Sequence, residues 1–555
     1  MLGPEQRRRD LERMADEVFD IVVIGGGATG AGAALDAATR GLNVALVEAR
    51  DYASGTSSRS SKLIHGGLRY LEQGHLHLVR EALRERGLLL NRLAPHLVQP
   101  VPFLVPLTEH WQRAYIGAGM ALYDTLGGHE GLPRHRHLTK RGARKVAPAL
   151  KADALVGAIQ YWDAKVDDAR HTLTVARTAA DLGAAVASNA RVTGFLREGG
   201  RVTGVRVRGG LDVRAREVVT ATGVWTDDVQ SLAGERGKFQ VRASKGIHLV
   251  VPRDRMQLDT GLILRTETSV LFVIPWGRHW IVGTTDTEWN LDKAHPAASA
   301  TDIDYVLERV NRVLAQPLTR EDVEGVYAGL RPLLTGESES TSRLSREHTV
   351  AAPVPGLVAV AGGKYTTYRI MARDAIDAAA RGLDRHVAPS ATHVTPLLGA
   401  AGFQAMWNRR ERLADASGLH VSRIEHLLRR YGTLTDQLLT LVTEDPQLGR
   451  PLPGAEDYLA VEVRYAATHE GALHLEDVLT RRTRISIETW DRGLEAAEPA
   501  ARLMADPLGW DAATTAQEVE VYRGRVAAER RSQEQADDRA ADLERLSAPD
   551  VLTRR

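Results

Sequence analysis

The chain has 555 residues, 43% of them hydrophobic, which is enough to bury a large core in two or three domains. Lysine and arginine together number 72 against 71 aspartates and glutamates, so the overall charge does not favour nucleic acid as a partner. The absence of cysteine excludes disulfides, thiolate nucleophiles, cysteine-ligated iron–sulfur clusters and a redox-active dithiol within this sequence.

Residues 1–18 are predicted to form a basic N-terminal arm. Arg7, Arg8 and Arg9 are not followed by the apolar core of a signal peptide, and no apolar run of about 18 residues occurs elsewhere. Charge runs are usually solvated, so a solvated arm is expected, with contact between these arginines and anionic lipid as the alternative. We therefore expect a cytoplasmic protein that does not span a membrane.

A dinucleotide-binding βαβ unit is predicted at residues 19–48, with the sequence FDIVVIGGGATGAGAALDAATRGLNVALVE. Residues 21–24 are apolar and all β-branched, which predicts a strand, and an alanine-rich helix then runs to about Arg40. A second strand at residues 44–47 delivers Glu48, which is placed to accept a hydrogen bond from a ribose hydroxyl.

The three glycines of the G-x-G-x-x-G fingerprint have separate physical roles. Gly25 permits the tight turn, Gly27 lets the backbone approach a pyrophosphate, and Gly30 lets the helix pack closely on the strand. Free N–H groups at the helix N-terminus would hold the phosphates. The complete βαβ unit is a more specific signal than the glycine fingerprint alone. The flavin disulfide reductases share the fingerprint, but the lack of cysteine excludes that class of enzyme.

The next segment, residues 54–72 (SGTSSRSSKLIHGGLRYLE), is rich in hydroxyl side chains and glycine. Composition alone predicts a surface loop. A loop in this position can also fold back over a bound dinucleotide and donate hydrogen bonds to it. His65 in this segment is a candidate for chemistry, with a structural or a surface histidine as the alternatives.

Later segments predict further strands of the same sheet and an insert within it. Short strands up to residues 218–221 continue the sheet and end in a turn at Gly223. Residues 242–345 mix short strands with a helix, which is typical of an α+β insert. A strand at 358–361 then runs into a turn and a helix whose N-terminus would face an anionic group.

After about residue 395 the strand pattern stops and helical periods take over. The basic run at residues 481–484, beside Glu476 and Asp477, is expected to form a salt-bridged helical face. Residues 526–555 are highly charged and poor in large apolar side chains, so this tail is expected to be partly disordered.

Seven segments together resemble the FAD-dependent glycerol-3-phosphate dehydrogenases. In chain order they are GGGATGAG, SSKLIHGGLRYLE, ATGVW, KGIHLVVP, IPWGRHWIVGTTD, YAGLRPL and GGKYTTYR, and they span roughly residues 18–380. The HGGLRYLE and GGKYTTYR segments are much more diagnostic than the dinucleotide fingerprint. The segment RYAATHEGALHLEDVLTRRTR at 464–484 resembles the C-terminal domain of the same family.

The resulting expectation is an α/β fold in which an FAD-binding Rossmann-like domain carries an inserted α+β substrate domain and precedes a C-terminal all-α domain. The expected boundaries are 1–18 for the basic arm, 19–240 and 346–390 for the discontinuous FAD-binding domain, 241–345 with part of 95–165 for the substrate-binding cap, 395–525 for the helical domain and 526–555 for the charged tail.

The resemblance implies FAD as the cofactor and no metal. The residues that it assigns to FAD are Gly25, Gly27, Gly30, Glu48, Thr56, Ser57, Ser61, Lys62, Val192, Gly223, Gly363 and Thr366. The roles of the first three glycines follow independently from the βαβ geometry.

The resemblance also implies sn-glycerol 3-phosphate as substrate, oxidised by hydride transfer from its C2 to flavin N5. Arg331 and Arg346 match the family's substrate arginines, and a planar guanidinium suits a phosphate. Arg69 and Tyr70 are expected beside the flavin. Lys364 would add positive charge near the phosphate or the reduced flavin.

A base must take the proton of the C2 hydroxyl. His65 is the first candidate, with Lys245 and His248 as weaker ones. Without the resemblance, His65 would be a structural or surface histidine about as often as a catalytic one.

The reduced flavin needs an electron acceptor, and the resemblance points to membrane quinone. Peripheral association with the inner face of the cytoplasmic membrane and a homodimer are also expected. Trp111, Tyr115, Ile116 and Met120 predict either an interfacial surface or, equally, buried core.

Three other functions remain open. The first is a glycerol-3-phosphate oxidase, which uses oxygen as acceptor and cannot be distinguished by the substrate motifs. The second is an amine or amino-acid oxidase of similar fold, which would need a clamp for a carboxylate. The third is a non-catalytic flavoprotein that serves as a binding scaffold through its helical domain.

Overall fold

The computed structural model describes residues 1–72, 74–128, 132–153, 155–234, 240–266, 270–334 and 348–550. Arg346 lies outside these residues, and only the backbone of Arg69 is described. The strands are β1 (Val18–Ile24), β2 (Val44–Val47), β3 (Leu63–Ile64), β4 (Val98–Leu107), β5 (Arg136–Thr139), β6 (Gly157–Val166), β7 (Ala185–Ala187), β8 (Val192–Glu198), β9 (Arg201–Val207), β10 (Leu211–Thr220), β11 (Val241–Pro252), β12 (Gly261–Arg265), β13 (Val270–Trp276), β14 (His279–Gly283), β15 (Thr287–Trp289), β16 (Gly325–Leu334), β17 (His348–Val354), β18 (Leu357–Gly362), β19 (Pro451–Leu452) and β20 (Ala455–Leu459).

The helices are α1 (Pro4–Asp16), α2 (Ala28–Thr39), α3 (Leu68–Glu72), α4 (Leu76–Leu88), α5 (Gln112–Gly127), α6 (Lys140–Val146), α7 (Asp168–Asp181), α8 (Thr226–Leu232), α9 (Ala300–Asn311), α10 (Tyr368–Ala380), α11 (Phe403–Asn408), α12 (Arg410–Ser417), α13 (Val421–Tyr431), α14 (Thr435–Glu444), α15 (Ala460–His469), α16 (Leu475–Asp477), α17 (Ile485–Glu488), α18 (Leu494–Leu508), α19 (Ala512–Ser532) and α20 (Asp538–Leu546).

The first sheet contains the predicted βαβ unit. Its strand order is β17-β18-β10-β1-β2-β7, and β9 and β8 extend it from β10. Strand β1 pairs in parallel with both β2 and β10, and β10 pairs in parallel with β18. Helices α2, α7 and α10 pack on one face of this sheet and bury Leu35, Val175 and Ile376. The prediction of a Rossmann-like domain is confirmed.

The second sheet has ten strands. Its order is β15-β11-β14-β13-β12-β4-β6-β3, with β16 beside β11 and β5 beside β6. Strands β11 and β16 are antiparallel and pair from Val241 with Leu334 to Val250 with Gly325. One face packs on α6 and α9, and the other on α4 and α5. This sheet therefore draws on an early and a late part of the chain.

Helices α11 to α19 form the C-terminal region around their own core. Leu427, Tyr465 and Ala497 are among its fully buried side chains. The expected all-α domain is confirmed, with the addition of one short hairpin, β19–β20.

The basic run at residues 481–484 is buried between this region and the first sheet, which differs from the expected helical face. Arg482 makes ion pairs with Asp51, and Arg484 pairs with Asp168. The positive charges are tolerated inside because each guanidinium meets a carboxylate from another part of the chain. The run therefore joins two domains.

The described parts of both chain ends also differ from the solvated segments that their composition predicts. Helix α1 packs through Asp10 and Met14, which lie four positions apart on one helix face and are both fully buried. In the tail, α20 buries Ala541 and brings Asp538 to Lys245. The basic arm is thus a helix docked through one face, and its Arg8 and Arg9 are exposed as predicted. Residues 526–550 of the tail are mostly helical, where partial disorder was predicted.

Helix α5 divides the four predicted interfacial residues between surface and core. Trp111 and Tyr115 are exposed, whereas Ile116 and Met120 are buried. Across the residues that the structure describes, we find no helix with both the length and the apolar character required to cross a bilayer.

Candidate active site

A cavity of about 680 Å³ lies at the carboxyl ends of the parallel strands. Strands β1, β2, β10 and β18 all end at this edge, which is where doubly wound sheets bind their cofactors. The predicted residues that line the cavity are Gly25, Gly27, Glu48, Thr56, Ser57, Val192, Gly223, Gly363 and Lys364.

The fingerprint glycines meet different constraints. Gly25 has a φ of +111°, and a Cβ there would lie 2.6 Å from the Ala221 carbonyl oxygen. A Cβ at Gly30 would overlap the carbonyl oxygen of Gly25. At Gly27 a Cβ would meet only the Ser57 hydroxyl, at 3.2 Å, so this glycine keeps the cavity wall open. Backbone packing thus requires Gly25 and Gly30, and the cavity requires Gly27.

Glu48 and the N-terminus of α2 form one wall of the cavity. The Glu48 carboxylate accepts hydrogen bonds from the backbone N–H of Gly26 at 2.6 Å and of Arg50 at 2.8 Å. Burial raises the pKa of Glu48, and these two N–H groups oppose that rise. Beside it the Ala28 N–H donates to Ser57 Oγ at 3.0 Å. An acid beside a helix N-terminus fits the ribose and pyrophosphate of FAD.

The hydroxyl-rich loop is anchored on both sides. Thr56 Oγ1 donates to the Leu330 carbonyl at 2.5 Å, which ties the loop to the second sheet. The Ser60 N–H and hydroxyl donate to Asp168 Oδ2 at 2.9 and 2.7 Å, which ties it to α7. The sequence gives no sign of this role for Asp168, because its partner Ser60 lies more than 100 residues away in the chain and leaves no local pattern.

Several predicted cofactor residues lie behind the cavity wall and do not line it: Gly30, Ser61, Lys62 and Thr366. The fully buried Lys62 ammonium lies 2.8 Å from Asp168 Oδ1 and donates to the Ser58 carbonyl at 3.1 Å. Its charge is therefore compensated within the protein. The Lys62 side chain, predicted to contact FAD, instead forms a buried ion pair with Asp168.

The loop after β3 and the turn after β18 meet at one end of the cavity. The His65 N–H donates to Thr366 Oγ1 at 3.2 Å, and the Thr366 hydroxyl lies 3.3 Å from the His65 carbonyl. The Lys364 ammonium lies 3.5 Å from the ring centroid of Tyr70. The structure therefore brings together three residues that sequence analysis assigned to substrate and catalysis.

Arg331 lies on β16, next to Pro332, which lines the cavity. Its Nη2 donates to Thr284 Oγ1 at 3.1 Å and to the Thr285 carbonyl at 3.0 Å, and its Nη1 lies 3.5 Å from Asp286. About a fifth of the side chain, 22%, stays exposed. The guanidinium is thus held in one orientation without being enclosed.

Lys245 does not fit the role of a base. Its side chain is fully buried, and the ammonium lies 2.5 Å from Asp302 Oδ2 and also pairs with Asp538. An ammonium enclosed by two carboxylates is not available to a substrate hydroxyl. The prediction of Lys245 as a base is therefore replaced by a structural role in buried ion pairs.

His248 is also enclosed. Its ring stacks on Tyr327 at 4.8 Å, and its Nε2 lies 2.8 Å from Ser61 Oγ. Burial lowers the pKa of His248 well below its ordinary value, and the charges of Arg331 and Lys62 lower it further. The neutral imidazole fixes the loop around Ser61, so its catalytic assignment is replaced by a positioning role.

Trp225, Tyr365 and Met371 are among the cavity residues that were not singled out from the sequence. Trp225 is the last residue of the ATGVW segment. Its ring packs against the backbone of Gly55, where a Cβ would lie 3.0 Å from the ring. Tyr365 stands within GGKYTTYR, so both motifs contained an available signal. Met371 lies one turn into α10, where no local pattern marks it.

Comparison with known proteins agrees with this geometry. The sequence model of a family described as "FAD dependent oxidoreductase" matches residues 20–369. A second, described as "C-terminal domain of alpha-glycerophosphate oxidase", matches residues 390–515. The fold and the cavity therefore define an FAD-dependent oxidoreductase.

Individual relatives narrow this class. Glycerol-3-phosphate dehydrogenase of Mycobacterium leprae is 59% identical over 559 residues, covering 100% of this chain and 96% of the relative. Glycerol-3-phosphate dehydrogenase 2 of Mycobacterium tuberculosis is 60% identical, covering 99% and 95%. The structure of glycerol-3-phosphate dehydrogenase from Bacillus halodurans complexed with FAD is similar, with a TM-score of 0.79 at 28% identity, over 95% and 98% of the two chains. The chain belongs to the FAD-dependent glycerol-3-phosphate dehydrogenases.

Proposed function

We propose that this protein oxidises sn-glycerol 3-phosphate to dihydroxyacetone phosphate and passes the electrons to membrane quinone. The observation that carries the substrate assignment is Lys364 in the lining of the cofactor cavity, with Arg331 next to the lining residue Pro332, in a chain with full-length similarity to glycerol-3-phosphate dehydrogenases. Two cations, one with a planar guanidinium, suit a phosphate dianion.

The binding roles follow from the contacts. FAD, when bound, supplies the acceptor for the hydride that leaves C2 of the substrate. The open wall at Gly27 admits its pyrophosphate, and Glu48 accepts from its ribose. Arg331, oriented by Thr284, binds the substrate phosphate, and Arg346 is assigned the same role by its motif.

His65 acts as the general base in this proposal. It accepts the proton of the C2 hydroxyl as the hydride departs, so that the carbonyl of the product forms. Its backbone is held by Thr366, which fixes the position from which the ring can reach substrate. Lys364 places positive charge where the hydroxyl oxygen becomes negative.

The substrate assignment is tested with Arg331→Gln. Loss of a charge-assisted contact should lower kcat/KM for glycerol 3-phosphate by about 10- to 100-fold, while the slow oxidation of glycerol changes little. The control is Arg412→Gln on the exposed face of α12. Equal losses on glycerol 3-phosphate and glycerol, with FAD retained, would contradict a phosphate role for Arg331.

The exposed apolar residues at α5 support a peripheral membrane association on the cytoplasmic face. Trp111, Tyr115 and Leu122 are 62%, 54% and 41% exposed. Their spacing places them within roughly 40° around a helix, so they form one stripe. Trp111→Ser together with Tyr115→Ser should reduce sedimentation with lipid vesicles without loss of FAD. Unchanged sedimentation would place the membrane contact elsewhere.

The acceptor is tested by steady-state turnover with a soluble quinone and with oxygen. We expect faster turnover with quinone, and a rise with lipid or detergent. Hydrogen peroxide formation from glycerol 3-phosphate at an equal rate would favour the oxidase alternative. The homodimer expected from the resemblance is checked on the same preparation by sedimentation equilibrium.

A further inference from the structure

A second cavity, of about 630 Å³, lies between the ten-stranded sheet and the C-terminal helical domain. It shares no lining residue with the FAD cavity. The sheet contributes Lys165 on β6 and Trp276 at the end of β13, and helix α13 contributes Arg423 and Arg429. The proposed function uses none of these residues.

The carboxylates that line this cavity all have partners. Asp167 pairs with Arg484 at 2.6 Å, and Asp457 pairs with Arg278 at 3.5 Å. Glu488 accepts hydrogen bonds from Trp276 Nε1 at 2.5 Å and from Tyr458 Oη at 2.8 Å. Arginines therefore balance Asp167 and Asp457, whereas both donors to Glu488 are neutral, so Glu488 can offset one further lining cation.

Three cations lining the cavity lack such a partner. Among the residues that the structure describes, Lys165, Arg423 and Arg429 have no carboxylate within ion-pair distance. The Lys165 ammonium donates to the Pro275 carbonyl at 2.9 Å, and Arg429 donates to Gln99 Oε1 at 3.2 Å. Burial lowers the pKa of Lys165 to about 8, and the nearby Arg429 charge lowers it further. Lys165, Arg423 and Arg429 outnumber Glu488, the lining carboxylate that has only neutral donors, so the cavity carries an excess of positive charge that favours an anion.

We propose that this cavity binds a ligand through its phosphate group, held by Lys165, Arg423 and Arg429. Two guanidinium groups and one ammonium match the several oxygen acceptors of a phosphate better than a single carboxylate. The volume exceeds that needed by inorganic phosphate, and Trp276 and Tyr458 offer aromatic surface for an organic portion. The phosphate belongs to a soluble metabolite or to a lipid headgroup, which share this chemistry.

The first experiment titrates the FAD-loaded enzyme with inorganic phosphate by calorimetry, at constant ionic strength set with chloride. The variant Arg423→Gln/Arg429→Gln should weaken one phosphate site by about tenfold or more. Arg331→Gln should leave that site intact, so failure of the active-site proposal is separable from failure of this one. Arg412→Gln, outside the cavity, is the matched control. Binding unchanged in the double variant overturns the proposal.

The second experiment follows the pKa of Lys165 by NMR of methyl-labelled lysines, assigned with Lys165→Met. Phosphate should raise this pKa above about 8, because a nearby anion stabilises the ammonium. An unchanged pKa at saturating phosphate overturns the proposal, whatever the activity of the enzyme.

Vesicles identify the source of the phosphate. If a lipid headgroup is the ligand, binding to phosphatidylglycerol vesicles should fall in Arg423→Gln/Arg429→Gln and in excess inorganic phosphate. If the ligand is soluble, vesicle binding stays unchanged while phosphate binding is lost in that variant. Either result supports the phosphate site. If the double variant loses neither vesicle binding nor phosphate binding, the proposal is overturned.

Discussion

The ammonium of Lys364 lies 3.5 Å from the ring centroid of Tyr70, in direct cation–π contact. Gly67, at a φ of +78°, lets the loop turn there, and a Cβ at that position would collide with the Tyr70 ring. Two segments almost 300 residues apart are thereby joined at the end of the FAD cavity.

This contact predicts different effects for two Tyr70 substitutions. Tyr70→Phe keeps the aromatic face and should retain nearly the parent kcat/KM for glycerol 3-phosphate. Tyr70→Leu removes the face and should lower kcat/KM by roughly 3- to 30-fold, as expected for a partly desolvated cation–π contact. Steady-state kinetics at matched FAD content checks this. Identical losses in both variants would assign the role to the hydroxyl group.

Replacing His65 should separate chemistry from binding. His65→Gln should slow flavin reduction by glycerol 3-phosphate in single-turnover mixing by roughly 10²- to 10⁴-fold, because a general base is lost. The substrate concentration for half-maximal reduction should change little. Reduction at the parent rate, with an unchanged pH profile, would remove His65 from the role of base.

Substitutions of Gly27 and Gly30 should have different effects, one on FAD binding and the other on folding. Gly27→Val should yield folded protein without FAD, because the side chain would project into the pyrophosphate position. Gly30→Ala should impair folding itself, because its Cβ would overlap the Gly25 carbonyl oxygen. Circular dichroism and the flavin absorbance of the purified variants distinguish these outcomes. Normal FAD content in Gly27→Val would refute the cofactor position.

Glu470 should be essential for the junction between domains. Its carboxylate pairs with Arg170 and Arg177, each at 2.8 Å, and all three side chains are buried. Glu470→Gln leaves two enclosed guanidinium groups uncompensated and should lower the free energy of unfolding by about 3–5 kcal/mol. Calorimetry should show a lower Tm than Glu411→Gln, an exposed control. An equal Tm would show that the network adds no stability.

The same carboxylate predicts a pH dependence. Burial by itself raises the pKa of Glu470, but Arg170 and Arg177 outweigh it and lower the pKa to about 2. Because the unfolded-state pKa is higher, this stabilisation is complete above about pH 4.5 and is lost as the pH falls toward about 2. The Tm difference between the parent and Glu470→Gln should therefore be nearly constant from about pH 6 to pH 4.5 and shrink as the pH falls from there toward about 3. A constant difference would contradict the assignment.

The sequence by itself predicted the cofactor-binding half of the molecule. Strand β2 has the predicted bounds, and α2 ends one residue before Arg40, because apolar periodicity and glycine spacing are local properties of the chain. The roles of Gly25, Gly27 and Gly30 follow for the same reason. The resemblance then located the segments around His65 and Lys364, which the fold brings together.

Only the tertiary structure decided which charged side chains form ion pairs inside the protein. Nothing in the local sequence distinguishes Lys62 or Lys245 from a lysine available to a ligand. Yet Lys62 pairs with Asp168, and Lys245 pairs with Asp302 and Asp538, all from distant parts of the chain. No local pattern selects such partners, because the packing of whole domains chooses them. The helical tail was not predicted for the same reason, because its Asp538 pairs with Lys245, almost 300 residues earlier in the chain.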